Sequence, residues 1–211
     1  DDAPSSPYYG RSYAVWSNMS AGSPPINVSY TTNSGISWSS PTAINTSVSG
    51  HYSQGCDIMC GPTGTVYVCW AAPTSGSPFT EDFCGFASST NGGASWTVLN
   101  NAFDMNGIRA TSFNGWGVRV NGFTRIGVDR SGGPRNGWIY VVAAERNLAP
   151  AGTDADVVLH SSSDGGATWS KVNIYSRADL LSVNFSSDKS GTITDANGLV
   201  WLTGDSGMTW L

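Results

Sequence analysis

SSSDGGATWS, residues 161–170, packs a serine run, an Asp-Gly-Gly turn and a tryptophan into one short segment. Relatives of it stand at TTNSGISWSS from Thr31, SSTNGGASWT from Ser88 and TGDSGMTWL from Thr203. In each, a Ser or Thr is followed two residues later by an Asp or Asn, short side chains that bond local backbone groups. A glycine then takes a backbone conformation that a side chain resists. Repetition of this kind reads as a turn built the same way each time, a folding device rather than a reaction centre.

The flanks repeat as well. INVSYTT, DFCGFASS, ADVVLHSS and NGLVWLTG precede the motifs as strand-like stretches, and PTAI, WTVL and WSKVNI follow the first three. Earlier in each unit lie SYAVWSNM, then GCDIMC with GTVYVCWAA, FTRIGVD with GWIYVVAAE, and LLSVNF with SGTITDA. The closing tryptophans, Trp38, Trp96, Trp169 and Trp210, recur at the spacing of a repeat architecture. Units of four antiparallel strands, with the motif between the third and fourth, are the blades of an all-β propeller. About four blades are expected, with each tryptophan packed between blades. The sequence stops at Leu211, directly after its fourth motif, so the expectation is an incomplete ring. It would be closed by DDAPSSPYYG, by further residues or by another chain.

Composition agrees with many short strands: of 211 residues 12% are charged and 39% hydrophobic, with Gly 26, Pro 10 and Trp 9. A net charge of −5 leaves no basic surplus for a nucleic-acid partner. The best candidate for an apolar span, WIYVVAA from Trp138, is strand-sized and far short of a membrane span. DDAPSSPYYG lacks the layout of a signal peptide, so export is inferred from other features. Cys56, Cys60, Cys69 and Cys84 are close in sequence. A hairpin turning at GPTG, between Cys60 and Thr65, would set Cys56 opposite Cys69, within disulfide reach, leaving Cys60 to pair Cys84. Disulfides are the preferred reading, with free buried thiols and a thiolate metal site as alternatives.

The pattern Ser/Thr-x-Asp/Asn-x-Gly-x-Ser/Thr-Trp at Thr31–Trp38, Ser89–Trp96, Ser162–Trp169 and Thr203–Trp210 resembles the Asp-box, or bacterial neuraminidase repeat, of the sialidase superfamily. The resemblance assigns the box to Asn33, Gly35 and Trp38; Asn91, Gly93 and Trp96; Asp164, Gly166 and Trp169; and Asp205, Gly207 and Trp210. Residues 1–175, notably FTRIGVDRSGGPRNGWIYVV and DADVVLHSSSDGGATWSKVN, are similar to sialidase-like repeat proteins secreted by bacteria. Residues 176–211 look more like the repeats of photosystem-II stability factor-type propellers, so the repeat subtype changes near Ile174. The resemblance implies a β-propeller on an exported protein of the extracellular space or cell envelope.

Sialidases clamp a substrate carboxylate with three arginines and use a tyrosine nucleophile activated by a glutamate. A planar guanidinium suits a carboxylate because it pairs two-pronged. The family's Arg-Ile-Pro marker has its nearest string here in FTRIGV, with Gly127 in place of proline and after two boxes instead of before the first. Under a sialidase reading Arg119 and Arg125 are the first candidates, with Arg11 and Arg146 converging on the axis and Glu145 or Glu81 beside a tyrosine. Of the two histidines, His160 on the strand before the third motif is read as structural. Asp129, Asp154 and Asp156 are weak calcium candidates, hard oxygen ligands in neighbouring loops. Asn18, Asn27, Asn45 and Asn184 open glycosylation sequons that matter only in a host that uses them. The connection Asn100–Gly117 carries Phe103, Phe113 and Trp116, which either bind a ligand or bury as a local lid. The preferred function is a secreted, non-catalytic propeller serving as scaffold or recognition surface for glycan or protein, without a required cofactor. The alternative is a sialidase-type glycoside hydrolase, whole or a fragment.

Overall fold

The computed structural model describes residues 1–109, 120–172, 180–187, 189–205 and 209–211. Among them there is no helix, and the strands form four antiparallel sheets in chain order. The first sheet is β1 (Ser12–Ser17), β2 (Ile26–Thr31) and β3 (Thr42–Ala43). The second is β4 (Gln54–Cys60), β5 (Val66–Pro73), β6 (Glu81–Ser89) and β7 (Thr97–Asp104). The third is β8 (Arg125–Val128), β9 (Ile139–Glu145), β10 (Asp156–Ser162) and β11 (Ser170–Val172). The fourth is β12 (Leu180–Phe185), β13 (Gly191–Asp195) and β14 (Val200–Thr203). Meandering sheets of this size, one after another, are propeller blades. The chain divides into two compact units, Asp1–Ser170 and Lys171–Leu211. The expected change of repeat subtype near Ile174 lies outside the described residues.

In the first unit the core lies between sheets. β5 is buried along its whole length, as its near-continuous apolar run VYVCWAAP requires. One of its faces, with Val68 and Trp70, joins Ile26, Val28 and Ile44 of the first blade, and Trp96 and Val98 pack against that cluster. The other, with Tyr67 and Cys69, joins Cys84 and Phe86 of β6 and meets Ile126, Ile139, Val141 and Ala143 of the third blade. Trp70 faces Gly85 across the β5–β6 ladder, and a Cβ at Gly85 would stand 2.1 Å from Trp70 Cε2. The glycine is therefore what lets the indole lie across the neighbouring strand.

The repeated turns are closed by one hydrogen-bond pattern. Gly35 N, Gly93 N and Gly166 N donate to the hydroxyls of Thr31, Ser89 and Ser162 at 3.1, 2.8 and 2.9 Å. Those hydroxyls donate to Asn33, Asn91 and Asp164 at 2.8, 2.9 and 2.8 Å. The three glycines have φ of 87°, 90° and 92°, where a side chain would be strained. In the amide versions Asn33 and Asn91 donate to the Ser37 and Ser95 hydroxyls at 2.8 and 2.7 Å. In the carboxylate versions the direction reverses, with the Thr168 and Thr209 hydroxyls donating to Asp164 and Asp205 at 2.6 and 2.7 Å. Trp169 packs between the second and third blades, 5.2 Å from Phe86 and 5.1 Å from Phe103 by ring centroids. Trp38 departs from the expected burial and is 47% exposed. In the second unit Thr203 donates to Asp205 at 2.8 Å, and Leu211 exchanges a pair of backbone bonds with Leu202 of β14. Gly207 lies outside the described residues.

The expected disulfides are corrected: Cys56, Cys60, Cys69 and Cys84 are all free thiols. Gly61 and Thr65 close the hairpin, with Gly64 at φ 84°, so Cys60 pairs Val66 and Cys69 stands opposite Asp57. The register is one residue away from the expectation, and one residue moves a side chain to the other face of the sheet. Cys69 accordingly lies in the cluster between the second and third blades, while Cys56 packs against the cluster between the first and second.

Candidate functional site

Antiparallel pairing sorts the loops of the first unit to two ends. The motif turns share one end with the β4–β5 and β8–β9 turns, and the N-terminal segment packs there. Ser5 donates to Pro62 O at 3.0 Å, Arg11 to Gly92 O at 2.5 Å, and Arg130 pairs with Asp2 at 2.5 Å. The opposite end gathers the β3–β4, β5–β6, β7–β8 and β9–β10 connections, and it holds the candidate site.

Arg109 is the centre of that site. Its Cζ lies 5.6 Å from the Tyr52 ring centroid, 5.8 Å from Phe79 and 6.0 Å from Phe123. Nη1 donates to Gln54 Oε1 at 2.5 Å and to the Tyr52 hydroxyl. Both acceptors are neutral, and no carboxylate pairs with this guanidinium among the described residues. Residues 110–119 contain no Asp or Glu. Arginine cannot shed its proton, so the site presents a positive charge held by neutral side chains among the described residues, while the nearby Glu81 carboxylate meets the Arg109 main-chain N–H. Phe79, at the tip of the β5–β6 loop, is 41% exposed and held at φ 62°, a region where a bulky residue is a true outlier. Beside the cradle His51 Nε2 meets Asp82 Oδ2 at 3.0 Å, and its ring lies 4.7 Å from Phe83, fixing the chain that presents Tyr52 and Gln54.

Some expected residues reach this end and others do not. Arg125 opens β8 here, is exposed, and donates to Thr124 O at 3.0 Å. Arg146 is also here, its N bonded to Asn106 O at 2.9 Å, whereas Arg11 stands at the motif end against Tyr8 and Tyr30, so these two do not converge. Glu145 and Glu81 are wholly buried: Glu145 meets His160 Nε2 at 2.7 Å, and Glu81 accepts the backbone N–H groups of Arg109 and Gly122. Phe103 belongs to β7, not to the connection, and its ring stacks on His160 at 3.8 Å. It is a packing residue between blades. Phe113, Trp116 and Arg119 lie outside the described residues.

The calcium trio is corrected too. Asp129 sits in the β8–β9 turn at the motif end, accepting Ser131 N at 2.8 Å, while Asp156 opens β10 at the other end and accepts Gly152 N at 3.0 Å. The length of β9, at roughly 3.3 Å per residue, separates Asp129 from Asp154 and Asp156. No group of three or more His, Cys, Asp or Glu residues is placed to hold a metal among the described residues. Burial raises all four thiols, Cys69 up to about 12 and Cys84 well above its usual value, which disfavours the nucleophilic thiolate form.

No protein-family model matches this chain, and no curated protein matches it either. Solved structures do. A Hadza microbial sialidase, Hz136, superposes with a TM-score of 0.55 at 16% identity, over 98% of this chain and 44% of the sialidase. A protein of unknown function from Dyadobacter fermentans DSM 18053 gives 0.53 at 15% identity, over 96% of this chain and 64% of that one. An ulvan lyase of polysaccharide lyase family PL25, bound to -[GlcA(1-4)Rha3S]-, gives 0.52 at 12% identity, over 96% of this chain and 52% of the lyase. The chain thus spans about half the length of the structures it matches. At these identities the likeness is one of fold: this is an all-β, propeller-type chain of the architecture found in sialidases and polysaccharide lyases.

Proposed function

We propose that this chain is a non-catalytic glycan-recognition module, exported to the extracellular space or cell envelope, whose ligands carry an acidic sugar. The observation that carries the reading is the Arg109 guanidinium, flanked by three aromatic rings and paired with no carboxylate among the described residues. A sugar ring stacks on an aromatic face such as Phe79, and its carboxylate or sulfate takes the remaining guanidinium N–H groups. The four motif turns act in this reading as Asp-boxes, with residues 1–175 and 176–211 as two repeat subtypes of one propeller. Fold likeness to carbohydrate-active proteins supports a glycan as the partner.

Calorimetric titration with trigalacturonate, and with maltotriose as neutral control, tests the reading. Wild type is expected to bind the acidic sugar alone, and Arg109→Ala to weaken it about 10- to 100-fold, the scale of one charge-assisted hydrogen bond. Equal binding of both sugars, or of wild type and variant, refutes it. A second reading, a sialidase-type hydrolase, is favoured by Arg125 standing at the same end as Arg109. Turnover of a fluorogenic sialoside at mildly acidic pH, abolished in Arg125→Ala, would establish that reading in place of the first.

A further inference from the structure

Glu81 is completely buried at the start of β6, and no cation pairs with it among the described residues. Its carboxylate accepts Arg109 N at 3.2 Å and Gly122 N at 3.0 Å, on either side of residues 110–119, and its carbonyl accepts Gly107 N at 2.9 Å. The group is closely walled. A Cβ at Gly107 would stand 2.1 Å from Glu81 Oε2, and one at Gly122 would stand 2.6 Å from Ala144 O and 2.8 Å from Gly107 Cα. Two glycines are thus what allow the chain to close around the carboxylate. Removing a charge from water is costly unless hydrogen bonds offset it, and an apolar side chain would fill the same space without that cost. What the carboxylate adds is alignment of two amides, one of them belonging to the residue at the centre of the site.

We propose that Glu81 is a positioning residue: through the main-chain N–H of Arg109 it sets where the guanidinium meets Tyr52, Gln54 and Phe79. The inference rests on the recognition reading above only for what the guanidinium is positioned to bind. Glu81→Gln keeps the side chain's size and one carbonyl acceptor, so it is the variant of choice should Glu81→Ala fail to fold.

The first arm uses the isotope-labelled full chain without ligand and follows hydrogen exchange of the Arg109 and Gly122 amides together with the Arg109 Nε–H resonance. The expected result is protection of both amides in wild type, loss of protection at one or both in Glu81→Gln, and a shifted Arg109 Nε–H, while the β5 amides keep their protection. An Arg109 Nε–H resonance that stays in place would overturn the proposal. The second arm titrates trigalacturonate into Glu81→Gln, Arg109→Ala and the double variant. Glu81→Gln is expected to weaken binding about tenfold, with no further loss on the Arg109→Ala background, because both changes act through one group. Losses that multiply would show that Glu81 acts elsewhere. If wild type binds no trigalacturonate, the recognition reading falls while the ligand-free arm still decides the role of Glu81.

Discussion

Gly85→Ala tests how the blades are packed. Trp70 is 1% exposed and lies directly across the ladder from Gly85. A methyl group at that position would stand 2.1, 2.2 and 2.4 Å from Cε2, Nε1 and Cζ2 of the indole. Ordinary contact begins near 3.4 Å, so the ring must recede by more than an ångström. It has nowhere free to go, since it is packed in the cluster with Val68, Ala87, Ile26 and Val28. Overpacking of this kind costs about 1–3 kcal/mol, and the loss of glycine's freedom in the unfolded chain returns about 0.4–1 kcal/mol. The net centres on about 1.3 kcal/mol within a span of roughly 0–2.6, or a fall in Tm of about 3–5 °C at that centre for a chain of this size. Thermal unfolding followed by near-ultraviolet circular dichroism reads both the Tm and the indole's surroundings. Trp70→Leu removes the obstructing ring, so the double variant should lose less than the two single losses combined. A Gly85→Ala protein as stable as wild type, or strictly additive losses, would refute this account of the packing.

Other consequences are testable in the same preparation. The Thr168 hydroxyl and amide, with Ser162, hold the Asp164 carboxyl at about 2, below its ordinary value. Its contribution is therefore complete above about pH 4 and fades as pH falls toward 2. Carbon-detected titration of Asp164 should find that low midpoint, and one near 3.8 would contradict the turn's hydrogen bonds. The turns built on Asn33 and Asn91 have no carboxyl to titrate, so their Ser37 and Ser95 amides should show no such acid transition. Alkylation in denaturant without reductant should modify all 4 cysteines, and a mass short of that would restore a disulfide.

The repeated turns and the strands around them were legible from the sequence because their chemistry is local. A hydroxyl, a carboxamide or carboxylate and a glycine within five residues satisfy one another whatever the rest of the chain does. Alternating and continuous apolar runs likewise announce half-buried and fully buried strands, as in β9 and β5. The hairpin after β4 was less accessible, since the left-handed Gly64 shortens its loop and moves the register by one, which separates Cys56 from Cys69. Nearness in sequence likewise misplaced Asp129 beside Asp154 and Asp156, because β9 carries the chain from one end of its blade to the other. Phe103 was hidden in NNAFD, a stretch too polar to announce an outer strand.

What the sequence by itself determined is the all-β repeat: its unit, its turns and the faces its strands bury. Only the tertiary structure decided the site, since Tyr52 and Gln54 come from the entry to β4, Phe79 from the β5–β6 loop, and Arg109 and Phe123 from the β7–β8 connection, with no shared local signal. Contacts over such separations exist only once the blades have packed, and the amides that Glu81 aligns become neighbours by the same event.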